Sequence, residues 1–125
     1  MYMEEKKILV VDDSSVNLKL AGKIIKAHAG WHPVLVPSAQ RALKYLQEHM
    51  ADLLLLDVMM PDMDGLELLK VLKSDARLAA IPVVMLTGDE DEETKAASLQ
   101  NGAEELVSKP FDAMGLQEAI ARYID

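Results

Sequence analysis

The sequence predicts an α/β domain in which a five-stranded parallel sheet is covered on both faces by helices. Two observations lead to this. Along the 125 residues, short apolar runs alternate five times with stretches of helical periodicity. Such alternation implies right-handed crossovers and a parallel sheet. The most apolar run, Leu53-Leu54-Leu55-Leu56, is bounded by polar residues. Leu favours helices intrinsically, but a short run with polar ends suits a strand buried on both faces.

The elements follow in order. Ile8-Leu9-Val10-Val11 is a β-branched-rich strand that ends at two Asp residues. Ser14 or Ser15 is placed to cap the helix after it. In that helix Val16, Leu20, Ile24 and Ala27 recur at helical spacing, and Gly30 is placed to close it. Val34-Leu35-Val36 is the second strand. Ser38 then caps a helix with Ala39, Ala42, Leu43 and Leu46 on one face. The leucine run is the third strand. The turn-rich segment Met60-Pro61-Asp62-Met63-Asp64-Gly65 leads from it to a helix marked by Leu66, Leu69 and Leu72. Pro82-Val83-Val84-Met85-Leu86 is the fourth strand, and Pro82 suits its first position because no ladder donor is needed there. The next helix begins in the acidic run from Asp89 to Glu93, where its dipole favours negative charge, and ends at Asn101-Gly102. Leu106-Val107-Ser108 is the fifth strand. Leu116, Ala119, Ile120 and Tyr123 form the apolar face of the last helix.

Five such units fit a flavodoxin-like doubly wound sheet with strand order 2-1-3-4-5. There is no internal repeat, low-complexity tract or linker, so one domain fills residues 1–125.

Composition narrows the function classes. Half of the residues are hydrophobic and 27% are charged, as in a folded globular chain. With one Phe and one Trp, the core must be mostly aliphatic. The net charge of −8 opposes direct binding to nucleic acid unless a local basic patch exists, and no Lys/Arg run exceeds Lys6-Lys7. There is no cysteine, hence no disulfide and no thiolate metal site. No apolar run approaches membrane-spanning length, and Met1 to Lys7 lacks the apolar core of a secretion signal. A cytoplasmic protein is expected. His28, His32 and His49 read as surface or loop residues, and the eight Met as core filler and loop residues.

In a doubly wound sheet, ligands bind beyond the carboxyl ends of the strands, near the switch in strand order. The residues there are Asp12-Asp13, Pro37-Ser38, Asp57, Thr87-Gly88 and Lys109-Pro110. Strands 1 and 3 are neighbours in this order, so Asp12, Asp13 and Asp57 should converge. Two like charges about 4 Å apart repel by roughly 4 kcal/mol at an effective dielectric near 20. Three carboxylates therefore need protons or a cation near neutral pH. An all-oxygen cluster suits a hard ion such as Mg²⁺, which takes one or two carboxylates plus waters and a phosphate. Asp57, at the rim of the most apolar strand, can attack a phosphoryl group. Lys109 supplies a point-like positive charge, and Thr87 a hydroxyl donor. Taken singly, each residue also has a plain role: the acids as helix caps or strand ends, Thr87 as a turn former, Lys109 as an exposed loop residue.

Together, Val10-Val11-Asp12-Asp13, the run from Leu56-Asp57 through Met60-Pro61 to Asp64-Gly65, Met85-Leu86-Thr87-Gly88 and Ser108-Lys109-Pro110-Phe111 resemble the receiver domain of two-component response regulators, of the chemotaxis-regulator kind. The resemblance runs from Lys7 to Ile124. It implies that Asp57 accepts a phosphoryl group from a histidine kinase or histidine phosphotransfer protein. It implies Mg²⁺ held by Asp13, Asp57 and the backbone carbonyl of Met59, with Asp12 acting through an ordered water. Thr87 would turn toward the phosphoryl group and Lys109 would bind one of its oxygens. Pro61 and Gly65 would shape the loop after strand 3, and Pro110 would follow a cis bond. The resemblance also implies that Met59 and Asp89 stand at positions that would tune hydrolysis of the acyl phosphate. The output would be a change on the face made by helix 4, strand 5 and helix 5, read by a downstream protein. Such a domain is not an enzyme but assists its own phosphorylation and dephosphorylation.

Two residues depart from the family pattern. Leu106 stands where an aromatic residue is usual, so Leu106 is expected to stay packed while switching runs through the loop from Thr87 to Asp91. Gly88 replaces the usual Ala and loosens that loop. The main alternative is a phosphate-independent interaction module that keeps the fold and the acids. A stand-alone aspartyl-phosphate phosphatase would need an Asp at the position of Met59. A flavin or nucleotide site would need a phosphate-cradling loop after strand 1, which is absent.

Overall fold

The computed structural model describes residues 5–88 and 91–124. Its elements are β1 (Lys6–Val11), α1 (Ser15–Lys26), β2 (Trp31–Val36), α2 (Ala39–Glu48), β3 (Leu53–Asp57), α3 (Gly65–Ser74), β4 (Val83–Thr87), α4 (Glu92–Gln100), β5 (Glu105–Ser108) and α5 (Ala113–Ala121). The strands pair in parallel in the order β2-β1-β3-β4-β5. This is the predicted flavodoxin-like layout.

Period-2 alternation sorts each strand between two cores. Leu9, Val11, Leu54, Leu56, Val83 and Met85 face one side, with Ala42 and Leu46 of α2 and Leu68, Leu69 and Leu72 of α3. Ile8, Val10, Leu53, Leu55, Val84 and Leu86 face the other, with α1 and α5. All four leucines of β3 are fully buried, as a strand covered on both faces requires.

Each helix starts at a side-chain cap. Ser14, Ser38, Asp64, Asp91 and Asp112 accept hydrogen bonds from the N–H groups of Asn17, Arg41, Glu67, Thr94 and Gly115. Such caps contribute about 1 kcal/mol each. Ser14, not Ser15, is the first of them.

Helix α1 departs from expectation. Its buried residues are Leu18, Ala21, Gly22, Ile24 and Ile25, whereas Val16, Leu20 and Ala27 are exposed. It ends at a cap on Ala27, and Gly30 lies beyond it in a turn with φ +89°. Strand β2 begins three residues earlier than expected, so His32 lies in a strand, 3.9 Å from Glu5. His28 stacks on Trp31 with ring centroids 3.6 Å apart. Leu66 is only half-buried, while Leu68 is fully buried.

Helix α4 packs against α3 and β5, and its only buried residue is Ser98, whose hydroxyl donates to the Thr94 carbonyl at 3.1 Å. Lys73 closes the α3–β4 connection by donating to the carbonyls of Ala79 and Ile81, both at 3.0 Å. Arg77 donates from the same connection to the Leu46 carbonyl at the end of α2. Glu105 joins β5 to the end of α5, accepting from Arg122 at 2.6 and 2.8 Å and from the Tyr123 hydroxyl at 2.6 Å. No helix among the described residues is long and apolar enough to cross a membrane.

Candidate functional site: an acidic cluster at the carboxyl edge of the sheet

Strand register brings the site together. Val11 pairs with Leu56, so Asp12 and Asp57 emerge side by side. Asp57 pairs with Leu86, which sets Thr87 one residue further out on β4. Thr87 pairs with Ser108, so Lys109 follows on the next strand, and its N–H donates to the Thr87 carbonyl at 2.6 Å.

Asp12, Asp13 and Asp57 each offer a carboxylate oxygen within 4.8 Å of the others. Asp12 and Asp57 are buried and Asp13 is exposed. Lys109 reaches into the cluster: its Nζ lies 2.8 Å from Asp57 Oδ1 and 3.7 Å from Asp12 Oδ2. The Met59 N–H also points at Asp57 Oδ1, at 3.4 Å. The Ser14 N–H donates to Asp12 Oδ1 at 2.9 Å. Asp12 Oδ2 is buried with no hydrogen-bond partner among the described residues.

Burial pushes the Asp57 carboxyl up to about 6, and the negative charge of Asp12 adds to this. The hydrogen bond and charge of Lys109 and the Met59 N–H pull the other way. A single ammonium thus answers two buried carboxylates and leaves one oxygen unmet. That oxygen, and an all-oxygen donor set open to solvent on the Asp13 side, fit a hard divalent cation.

Thr87 is buried at the end of β4. Met59 is 65% exposed at the rim. The Lys109–Pro110 bond is cis. Leu106 is half-buried against the core on the α2–α3 side. Gly88 is exposed, and Asp89 lies outside the described residues. Pro61 is exposed on the loop leaving the site.

Gly65 has a steric role. A Cβ there would stand 2.2 Å from the Asp57 carbonyl oxygen and 2.9 Å from Val58 Cα. Its N–H donates to the Val58 carbonyl at 2.7 Å. The start of α3 therefore rests directly on the backbone that carries Asp57. Gly65→Ala is expected to destabilise the protein by about 1–3 kcal/mol, the usual range for overpacking. Urea unfolding would measure it, and a loss under about 0.5 kcal/mol, the range of neutral surface changes, would contradict it.

Two features of the site were not predicted from sequence. One is the Ser14 N–H that orients Asp12. The other is Asp62, whose carboxylate accepts from the Gln40 N–H at 3.1 Å and so ties the loop after β3 to α2. A backbone donor leaves no mark in a sequence, and Asp62 reads there only as a turn residue.

The family model for the response regulator receiver domain matches residues 8–121. The chain belongs to that family. It is a two-component receiver domain with an acidic pocket. It is 34% identical over 119 residues to the polar-differentiation response regulator DivK of Brucella ovis, covering 95% of this chain and 96% of that one. Among solved structures it resembles the Vibrio cholerae chemotaxis protein CheY4, with a TM-score of 0.89 and 28% identity over 96% of this chain and 99% of that one. It also resembles the receiver domain of a Syntrophus aciditrophicus signal transduction histidine kinase. There the TM-score is 0.87 and the identity 31%, over 95% of this receiver domain and 89% of that chain.

Proposed function

We propose that this receiver domain works in the cytoplasm as a phosphoacceptor, taking a phosphoryl group from a phosphohistidine onto Asp57. The observation that carries this reading is the contact of Lys109 Nζ with Asp57 Oδ1 inside a three-carboxylate cluster. Both donors to Asp57 converge on Oδ1, so Oδ2 is the oxygen with no donor among the described residues. Attack by Asp57 forms a P–O bond to the carboxylate and breaks the P–N bond, and the imidazole leaves with a proton. Lys109 offsets charge on the transferring group, and Thr87, one residue beyond the β4 partner of Asp57, offers a hydroxyl to a phosphoryl oxygen. Water later hydrolyses the acyl phosphate and restores the carboxylate. The domain assists these steps on itself and is not an enzyme with a separate substrate.

Asp13, Asp57 and the Met59 carbonyl would hold Mg²⁺, with Asp12 acting through a water. Bound there, the ion supplies positive charge against the phosphoryl oxygens. Val16 and Met114, 72% and 71% exposed on the first turns of α1 and α5, stand with Met59 at the same end of the sheet. They give a histidine kinase or histidine phosphotransfer protein an apolar rim to dock on.

Incubation with Mg²⁺ and acetyl phosphate tests the reading. Intact mass should rise by one phosphoryl group, located at Asp57 after borohydride trapping. Absence of the adduct would favour a phosphate-independent interaction module.

For output, the reading places the change on the α4-β5-α5 face, where a downstream protein would sense it. Leu106 stays packed, and the loop beyond Thr87 carries the movement. Thr87→Ala is expected to keep labelling at Asp57 while removing the amide-shift changes that beryllofluoride induces in α4. An α4 response equal to that of the unmodified protein would sink this route.

A further inference from the structure

Folding assembles a basic patch that no run of the sequence announces. Residues 1–50 carry seven Lys/Arg against five Asp/Glu, two of which are Asp12 and Asp13 in the acidic cluster; the remaining residues carry six against sixteen. The positive charge therefore lies toward the β2 edge of an otherwise acidic molecule.

At that edge Lys19, Lys23 and Lys26 stand at i, i+4 and i+7 on α1, a straight stripe about 10 Å long. All three are exposed, and none pairs with a carboxylate among the described residues. They wall a groove of about 350 Å³ whose floor is Gly22, Pro33 and Leu35. Gly22 lets Leu35 come close beneath α1; a Cβ there would lie 3.1 Å from Leu35 Cδ1. Leu35 is 39% exposed, so the floor is apolar and open.

Strand addition at this edge is interrupted. The Lys6 N–H donates to the Gly30 carbonyl and the Asp12 N–H to the Val36 carbonyl, so even-numbered positions of β2 pair inward. Pro33 falls on the outward-facing set and has no N–H to offer a further strand. An occupant must be held by side chains.

We infer that the α1–β2 groove docks an acidic amphipathic helix of a partner protein. Three compact ammonium groups at helical spacing suit carboxylates presented with the same period by a facing helix. The apolar floor suits a leucine or isoleucine set between those acids. A nucleic-acid backbone or a lipid headgroup has no use for such a floor, and a second copy of this chain brings a net charge of −8. The acidic remainder of the molecule repels the same partner elsewhere, which orients it toward this edge.

The test is an amide-shift titration of the full chain with a synthetic amphipathic helix bearing Glu at i, i+4 and i+7 and Leu between. Shifts should map to α1 and β2, and binding should weaken as salt rises. Lys19→Glu, Lys23→Glu and Lys26→Glu together should weaken binding by about tenfold or more. Leu35→Gln should weaken it independently, and both variants should keep the circular dichroism and Asp57 labelling of the parent. Shifts on another surface, no detectable binding, or undiminished binding in both variants would overturn the inference. So would equal binding of a Gln-for-Glu peptide, tighter binding to a DNA duplex or phosphatidylglycerol vesicles, or self-association through the same lysines.

Discussion

Asp57→Asn is expected to abolish phosphoryl incorporation completely while making the metal-free protein more stable. The two readouts move in opposite directions for one reason. Burial and the charge of Asp12 favour the neutral form of Asp57 more than water does and push its carboxyl up to about 6. Unfolded, the same group would titrate near pH 4. Below about pH 4 both states bind the proton, and the site imposes no penalty. Between there and pH 6 the native state keeps a proton that the unfolded chain has released, so stability falls as pH rises. Above pH 6 the full penalty is present, on the order of 1–3 kcal/mol, with the favourable contact to Lys109 already counted in it. Asn carries no charge and escapes it. Unfolding curves of parent and variant should therefore separate between pH 4 and 6 and stay apart at pH 7. Added Mg²⁺ should narrow the gap by stabilising only the parent. An Asn variant that still labels, or that is less stable at pH 7, would contradict the reading of this site.

Lys109→Met is expected to slow labelling by acetyl phosphate about 10²- to 10³-fold, the loss typical of removing one preorganised charge from a polar site. Met keeps most of the aliphatic stem, so the change falls on the ammonium. That ammonium is 2.8 Å from Asp57 and 3.7 Å from Asp12, and its hydrogen bond and charge are the main factors holding the Asp57 carboxyl down. Without it the carboxyl should move further upward, leaving less of the nucleophilic form at neutral pH. The slowing should therefore ease as pH rises. A labelling rate equal to the parent's would show that Lys109 does not act on the transferring group.

The site was legible because its chemistry sits at strand ends. Apolar runs locate those ends, and a parallel sheet places them along one edge. Asp12, Asp57, Thr87 and Lys109 are thus gathered by the sequence pattern alone. The face of α1 was not legible. Val16, Leu20 and Ala27 share helical spacing, but so do Leu18, Ala21 and Ile25, and periodicity alone does not choose between two stripes. Packing decides: Ala21 and Gly22 are small enough to bring α1 close to the sheet, so their stripe is the one covered. The basic groove was illegible for a related reason, since its lysines are separated in sequence and meet Pro33 and Leu35 only through the β1–β2 pairing.

Helix α4 commits almost no core of its own, since Ser98 is its one buried residue and Leu99 stands 48% exposed. An element anchored so lightly opens at a small fraction of the global unfolding free energy, and its amides should lose hydrogen-exchange protection before those of α1 or α3. The full swing of a two-state equilibrium from 1:99 to 99:1 takes about 5.5 kcal/mol. A helix held by so little burial would need far less of that to move, so its hydrogen-exchange protection is expected to change on labelling of Asp57 while that of both cores stays constant.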